Sequence, residues 1–270
     1  MKKFKKVLKW IVILIFALVA ICAIGFKIYT THYYRADISI IENIEGVLSG
    51  EVLSFSDANC TVFIPAKQDP KAVIVFYPGG KVEYTSYNGL MCELASRGYV
   101  CLLTRMPENL AFLNVNAVDK LTKKYPEFTK KSENLDWYIA GHSLGGVAAC
   151  VHLEKTLSLA QSDDESIKAS SIPTNYKGII LCASYPSVDF SDADIRLLSI
   201  YGSNDGVLDM EQYESSKKLW PKNSTERVIK GGIHSFFGSY GIQEKDGEPQ
   251  ITNYEQITQT ANIIADWVSQ

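Results

Sequence analysis

The chain has 270 residues, 46% of them hydrophobic and 21% charged, with a formal net charge of −3. That length suits one large domain with an appendage, and the apolar share is enough for a sizeable core. The near-neutral balance lacks the basic excess that nucleic acid or an anionic surface attracts, so no nucleic-acid partner is expected.

Lys2, Lys3, Lys5, Lys6 and Lys9 crowd the start, and Trp10 to Phe26 (WIVILIFALVAICAIGF) then runs for seventeen positions without a charge. As a helix this run spans about 26 Å. That is near the lower limit for a hydrocarbon layer of about 30 Å, and Lys9 and Lys27 extend it by snorkelling. Lys27, Arg35, Asp37, Glu42 and Glu45 follow with no basic excess. The positive-inside asymmetry therefore predicts a single-pass anchor in the cell membrane, with a cytoplasmic N-terminus and everything beyond it outside. Trp10, Tyr29, Tyr33 and Tyr34 sit where interfacial aromatic rings are expected. A cleaved signal peptide is the competing reading, with Ala23-Ile24-Gly25 as a weak small-residue site, but the apolar run exceeds the usual length of such segments. Bulky Ile21 before Cys22 argues against a lipoprotein. The expected organisation is a lysine cluster and anchor over 1–28, a polar and aromatic stalk over 29–50, and a globular domain over 51–270.

Within that domain the pattern alternates. Glu51–Phe55 and Thr61–Ile64 suggest an opening antiparallel pair. Ala72–Tyr77 (AVIVFY) and Tyr99–Thr104 (YVCLLT) are continuous apolar runs, the signature of strands buried on both faces. Tyr87–Ser96 and Asn116–Lys124 read as helices, and Leu135–Ala140 (LDWYIA) as a strand leading to a helix from Leu144 to about Lys155. Residues 158–175 are polar and acidic and read as a surface insertion. Strands at Gly178–Ala183, Leu197–Tyr201 and Thr225–Ile229, with helices at Met210–Leu219 and Tyr254–Val268, complete the chain. Strands alternating with helices predict an α/β fold, a mostly parallel sheet with helices on both faces. The six cysteines match no zinc motif and no small disulfide scaffold, and they read as small buried hydrophobes apart from Cys22 in the anchor.

Gly141-His142-Ser143-Leu144-Gly145 matches G-x-S-x-G, directly after an apolar strand and directly before a helix. That context marks a nucleophile elbow, in which the serine takes strained backbone angles and flanking glycines avoid clashes. A serine hydroxyl needs a base, and of the four histidines only His234, after the last strand, comes from the C-terminal side. The acid should follow the strand Leu197–Tyr201, where Asp205 sits in the loop YGSNDGV. Asp209 is its nearest rival, and Asp189, Asp192 and Asp194 fall one strand too early. An oxyanion needs backbone donors. The Leu144 N–H is one candidate, and Gly80 in the turn Tyr77-Pro78-Gly79-Gly80-Lys81 is the other, with Lys81 as the near alternative.

These features, and above all GGIHSFFGSYGIQEKDGEPQIT, resemble a bacterial family of exported α/β-hydrolase-fold proteins, the fold-5 group, which is similar to dienelactone-hydrolase-like esterases. The resemblance covers residues from about 47 to 270 and implies an α/β-hydrolase fold with Ser143, Asp205 and His234 as triad. Ile233 stands where that family has asparagine. The expected activity is cleavage of a small-molecule carboxylic ester or thioester, with no cofactor and no metal. A silent hydrolase-fold binding protein, or an acyltransferase or peptidase using the same three residues, is the alternative. Met106–Phe112 and the 158–175 insertion are read either as an entrance cap or as plain surface loops. Removal of residues 1–28 is expected to leave an active domain, because the triad and every expected strand lie beyond Gly50.

Overall fold

A computed structural model describes residues 2–124, 135–160 and 176–270. The chain divides into two compact units, Met1–Tyr33 and Tyr34–Gln270. The first is a single helix, α1 (Lys2–Thr31), of 30 residues. Over Phe4–Thr31 its most apolar stretch has a mean hydropathy of 2.9 and is unburied, so by length and composition it is a candidate membrane span. At about 1.5 Å per residue, α1 is about 45 Å long, well beyond the seventeen-residue apolar run.

The second unit begins where a stalk was expected. Residues 38–47 form α2 (Ile38–Val47), capped by Asp37, whose carboxylate accepts from the N–H groups of Ser39 and Ile40. Ile41 and Ile44, three residues apart, lie on one face and are buried. Ile44 joins the main core, against Gly89. Residues 34–50 therefore belong to the globular unit and not to a stalk.

The described residues of this unit build an eight-stranded sheet in the order β1-β2-β4-β3-β5-β6-β7-β8. β1 (Val52–Ser56) and β2 (Cys60–Pro65) are the antiparallel pair, and β2 also runs antiparallel to β4 (Tyr99–Thr104). The remaining neighbours are parallel: β3 (Ala72–Tyr77), β5 (Asp136–His142), β6 (Tyr176–Cys182), β7 (Arg196–Gly202) and β8 (Asn223–Ile229). Alternate side chains of a strand point to opposite faces. Ile74 and Phe76 of β3 enter a core covered by α2, α3 (Asn88–Ser96) and α7 (Asn253–Val268). Val73, Val75 and Tyr77 enter a second core under α4 (Ala117–Lys124) and α5 (Leu144–Ala160). Two covered faces explain why AVIVFY has no polar position. α6 (Met210–Ser216) follows β7. The expected insertion is shortened at its start, because α5 continues through Ala160; residues 161–175 lie outside the described residues.

Because β3, β5, β7 and β8 run parallel, their C-terminal ends share one edge of the sheet. The glycine turn, Ser143, Asp205 and His234 all lie on the loops that leave those ends, where ligands of open α/β sheets bind.

Cys60, Cys92, Cys101, Cys150 and Cys182 are buried free thiols, and Cys22 is exposed on α1. His152 of α5 is also buried, with Asn116 Oδ1 and Thr156 Oγ1 each 3.3 Å from its ring nitrogens. Burial lowers its pKa from its ordinary 6.5 to about 4. The unfolded chain takes up this proton near 6.5 and the folded chain refuses it until about 4. Stability from this group is thus complete above about 6.5 and is lost as pH falls towards 4, roughly 3 kcal/mol in all. The urea midpoint of the globular unit should fall over that window, and more shallowly in His152→Gln. An identical slope in both proteins would refute the assignment.

Candidate active site

Ser143 joins β5 to α5 at φ +52°, in the left-handed region that a serine enters only under constraint. Backbone and side-chain hydrogen bonds from β6 and the residues after it hold it there. The Ser143 N–H donates to Cys182 O at 3.0 Å, and Ser184 Oγ donates to Ser143 O at 2.8 Å. Gly145 is required by close approach, since a Cβ there would lie 2.2 Å from Tyr77 O and 2.3 Å from Pro78 O. That contact seats the glycine turn after β3 directly on the start of α5.

The turn's N–H groups can be accounted for one by one. Gly79 N–H donates to Tyr87 Oη at 3.0 Å, and Lys81 N–H donates to Asn109 O at 2.8 Å. Among the described residues, the N–H groups of Gly80 and Leu144 have no hydrogen-bond partner. They are also neighbours: a Cβ on Gly80 would stand 2.7 Å from Leu144 Cδ2 and 3.3 Å from its Cβ. Between Gly80 and Lys81, only Gly80 keeps a donor to spare. Asn109 belongs to the Met106–Phe112 segment, which here forms two short turns.

Asp205 and His234 meet. His234 Nδ1 lies 2.9 Å from Asp205 Oδ2 and 3.2 Å from Oδ1, and both side chains are only 2% exposed. A carboxylate oxygen accepts, so Nδ1–H donates, and in the neutral tautomer with that proton Nε2 is the nitrogen with a lone pair. Asp205 Oδ1 also accepts from the N–H groups of Val207 (2.9 Å) and Leu208 (2.8 Å), which fixes the carboxylate on its loop. The other acids are occupied elsewhere. Asp209 is exposed and caps α6, accepting from the N–H groups of Glu211 and Gln212. Asp189, Asp192 and Asp194 are exposed on the loop between β6 and β7.

Three further residues serve the arrangement. His142, next to Ser143, is buried beside His234 with ring centroids 4.6 Å apart. Its Nε2–H donates to His234 O at 3.1 Å, so its Nδ1 accepts from Tyr87 Oη at 2.8 Å. Burial first, and the neighbouring His234 second, hold the His142 pKa well below the ordinary histidine range, so the ring stays neutral. Gly79, Tyr87, His142 and His234 therefore form one chain of hydrogen bonds from the glycine turn to the His234 loop. Asp246 is the third. Its carboxylate accepts from the N–H groups of His234 (3.1 Å), Ser235 (2.7 Å) and Gly206 (3.2 Å), tying the Asp205 loop to the His234 loop. The sequence alone singles out none of these three residues. Their partners lie 55, 92 and 40 residues away, and no local pattern announces them.

A family model described as "Alpha/beta hydrolase family" matches residues 73–258. No curated protein matches the chain. Among solved structures, a hyperthermophilic esterase from the archaeon Pyrobaculum calidifontis is similar at a TM-score of 0.55 and 16% identity, covering 86% of this chain and 89% of that one. A monoclinic form of the Pyrobaculum calidifontis esterase gives 0.54 and 16%, covering 86% and 91%. A dienelactone hydrolase from Anabaena variabilis gives 0.52 and 12%, covering 81% and 98%. At these identities the structural likeness speaks for the fold, and the family model spans well over half of the sequence. The chain belongs to the alpha/beta hydrolase family.

Proposed function

We propose that this protein is a membrane-anchored serine hydrolase that cleaves small carboxylic esters or thioesters through an acyl-enzyme, with its hydrolase unit outside the cytoplasmic membrane. The observation that carries this reading is Ser143 at positive φ on a strand-to-helix turn, with an Asp205-held His234 on an adjoining loop. In this mechanism Ser143 Oγ attacks the acyl carbon as His234 Nε2 takes its proton. The negative charge gathers on the carbonyl oxygen, for which Gly80 and Leu144 N–H are the free donors. His234 then returns the proton to the leaving alkoxide or thiolate. Water repeats the sequence on the acyl-enzyme and releases the acid. A fluorophosphonate probe should label the purified protein on Ser143, and p-nitrophenyl esters of increasing chain length should show a preferred acyl length. Absence of both labelling and turnover would favour a silent binding protein. The esterases among the similar structures support the choice of substrate class.

The anchor rests on α1 and on the lysine asymmetry around it. Protease added to intact protoplasts should digest the hydrolase unit, and alkaline carbonate should not release it beforehand. Protection from protease would overturn the orientation, and a soluble fragment beginning near Phe26 would identify a cleaved signal instead.

A further inference from the structure

We infer that Tyr34–Asp37 is a strap that holds the glycine turn and the His234 loop in register, with Tyr34 as its positioning residue. Tyr34 lies four residues before the start of α2, and its main chain forms a parallel bridge with Val82. Its N–H donates to Lys81 O at 2.8 Å, and its carbonyl accepts from Glu83 N–H at 2.8 Å. Ala36 N–H adds a bond to Glu83 Oε2 at 3.1 Å. The same four residues reach the other loop. Tyr34 Oη accepts from Glu244 N–H at 3.0 Å, and its ring packs on Tyr240 at 5.7 Å. Asp37 N–H donates to Ser239 O at 2.8 Å, and Ser239 N–H in turn donates to Ser86 O at 2.7 Å.

The consequence falls on Gly80. Lys81 sits at φ +58°, a conformation with little intrinsic preference, and its peptide groups are gripped by Asn109 on one side and Tyr34 on the other. Releasing the Tyr34 side frees Lys81 to relax towards ordinary angles, and the adjoining Gly80 N–H turns with it. On the far loop, Glu244 lies two residues from Asp246, whose carboxylate holds the His234 N–H. Losing the strap therefore disturbs an oxyanion donor and the seat of the base together. Misplacing catalytic groups by about 1 Å costs on the order of 10²-fold, and an oxyanion donor acts in the transition state, so the loss belongs in kcat and not in KM. The reading of residues 29–50 as a stalk outside the site is replaced for Tyr34–Asp37. Only His32 and Tyr33 separate α1 from the strap, so a cut that frees a working hydrolase has to fall before Tyr34.

The inference rests on the serine-hydrolase reading for its catalytic consequence but not for its mechanical one, and the full-length protein in detergent tests the two apart. Tyr34→Pro removes the donor to Lys81 together with the ring and hydroxyl. Tyr34→Ala removes the ring and hydroxyl alone, and Tyr34→Phe only the hydroxyl. Amide hydrogen exchange should quicken over both 78–83 and 234–246 in Tyr34→Pro, less in Tyr34→Ala, and least in Tyr34→Phe. With a p-nitrophenyl ester, kcat should fall about 10- to 100-fold in Tyr34→Pro at a KM within about twofold, with Tyr34→Phe near the parent. Exchange unchanged in either loop would overturn the strap. So would a lower kcat explained entirely by a smaller folded fraction, whereas a parent protein that a fluorophosphonate does not label, yet whose exchange responds as expected, would overturn the hydrolase reading and leave the strap standing. If Tyr34→Pro does not fold, Tyr34→Ala against Tyr34→Phe tests the side-chain half of the strap, and exchange over 234–246 unchanged in Tyr34→Ala would overturn it.

Discussion

Ser143→Ala is expected to lower ester hydrolysis by about 10⁴-fold or more, leaving only the residual catalysis of oxyanion donors and binding. The fold should survive the change. The contacts that hold this position run through the main chain, from Ser143 N–H to Cys182 O and from Ser184 Oγ to Ser143 O, and alanine keeps both. Alanine is also no bulkier than serine at φ +52°. The far-UV spectrum and melting temperature should therefore match the parent while turnover and fluorophosphonate labelling disappear together. A variant that retains a tenth of the activity would remove Ser143 from the nucleophile's role and leave His234 to serve another nucleophile.

What the sequence made legible here was whatever burial and local backbone strain write into neighbouring residues. β3 and β4 have the bounds read from their apolar runs, because strands covered on both faces are buried at every position. The elbow was legible because its glycines, strand and helix are contiguous, and Gly145 answers a physical demand from Tyr77 and Pro78. α2 was missed although its signals were present: Asp37 as cap, and Ile38, Ile41 and Ile44 at helical spacing. Ten residues make a marginal helix in isolation, and what stabilises this one is tertiary, the seat of Ile44 in the core. The choice between Gly80 and Lys81 could not be read from adjacent residues of one turn. It turns on Asn109, 28 positions downstream, taking the Lys81 N–H. Asp246 likewise looks like any Asp-Gly turn until the fold brings the His234 and Gly206 N–H groups to it.

Asp205→Asn should lower kcat by a comparable amount, about 10⁴-fold, and the structure gives the reason in atoms. Asp205 Oδ1 is held by the N–H groups of Val207 and Leu208, and an asparagine keeps those bonds only by placing its amide oxygen there. Its NH₂ group then faces His234 Nδ1, where a carboxylate oxygen now lies at 2.9 Å. A donor at that point forces Nδ1 to accept, which puts the ring proton on Nε2. In the proposed mechanism that is the atom that takes the proton from Ser143, so the base would be blocked by its tautomer while the geometry is intact. The electrostatic support for the imidazolium is lost in the same change. Asp209 offers the control four residues on. It is an exposed cap, so Asp209→Ala should cost about 1 kcal/mol of stability and leave kcat close to the parent. Steady-state kinetics and urea unfolding of the two variants together decide the matter. A silent Asp205→Asn beside an inactive Asp209→Ala would move the acid of the triad to the head of α6.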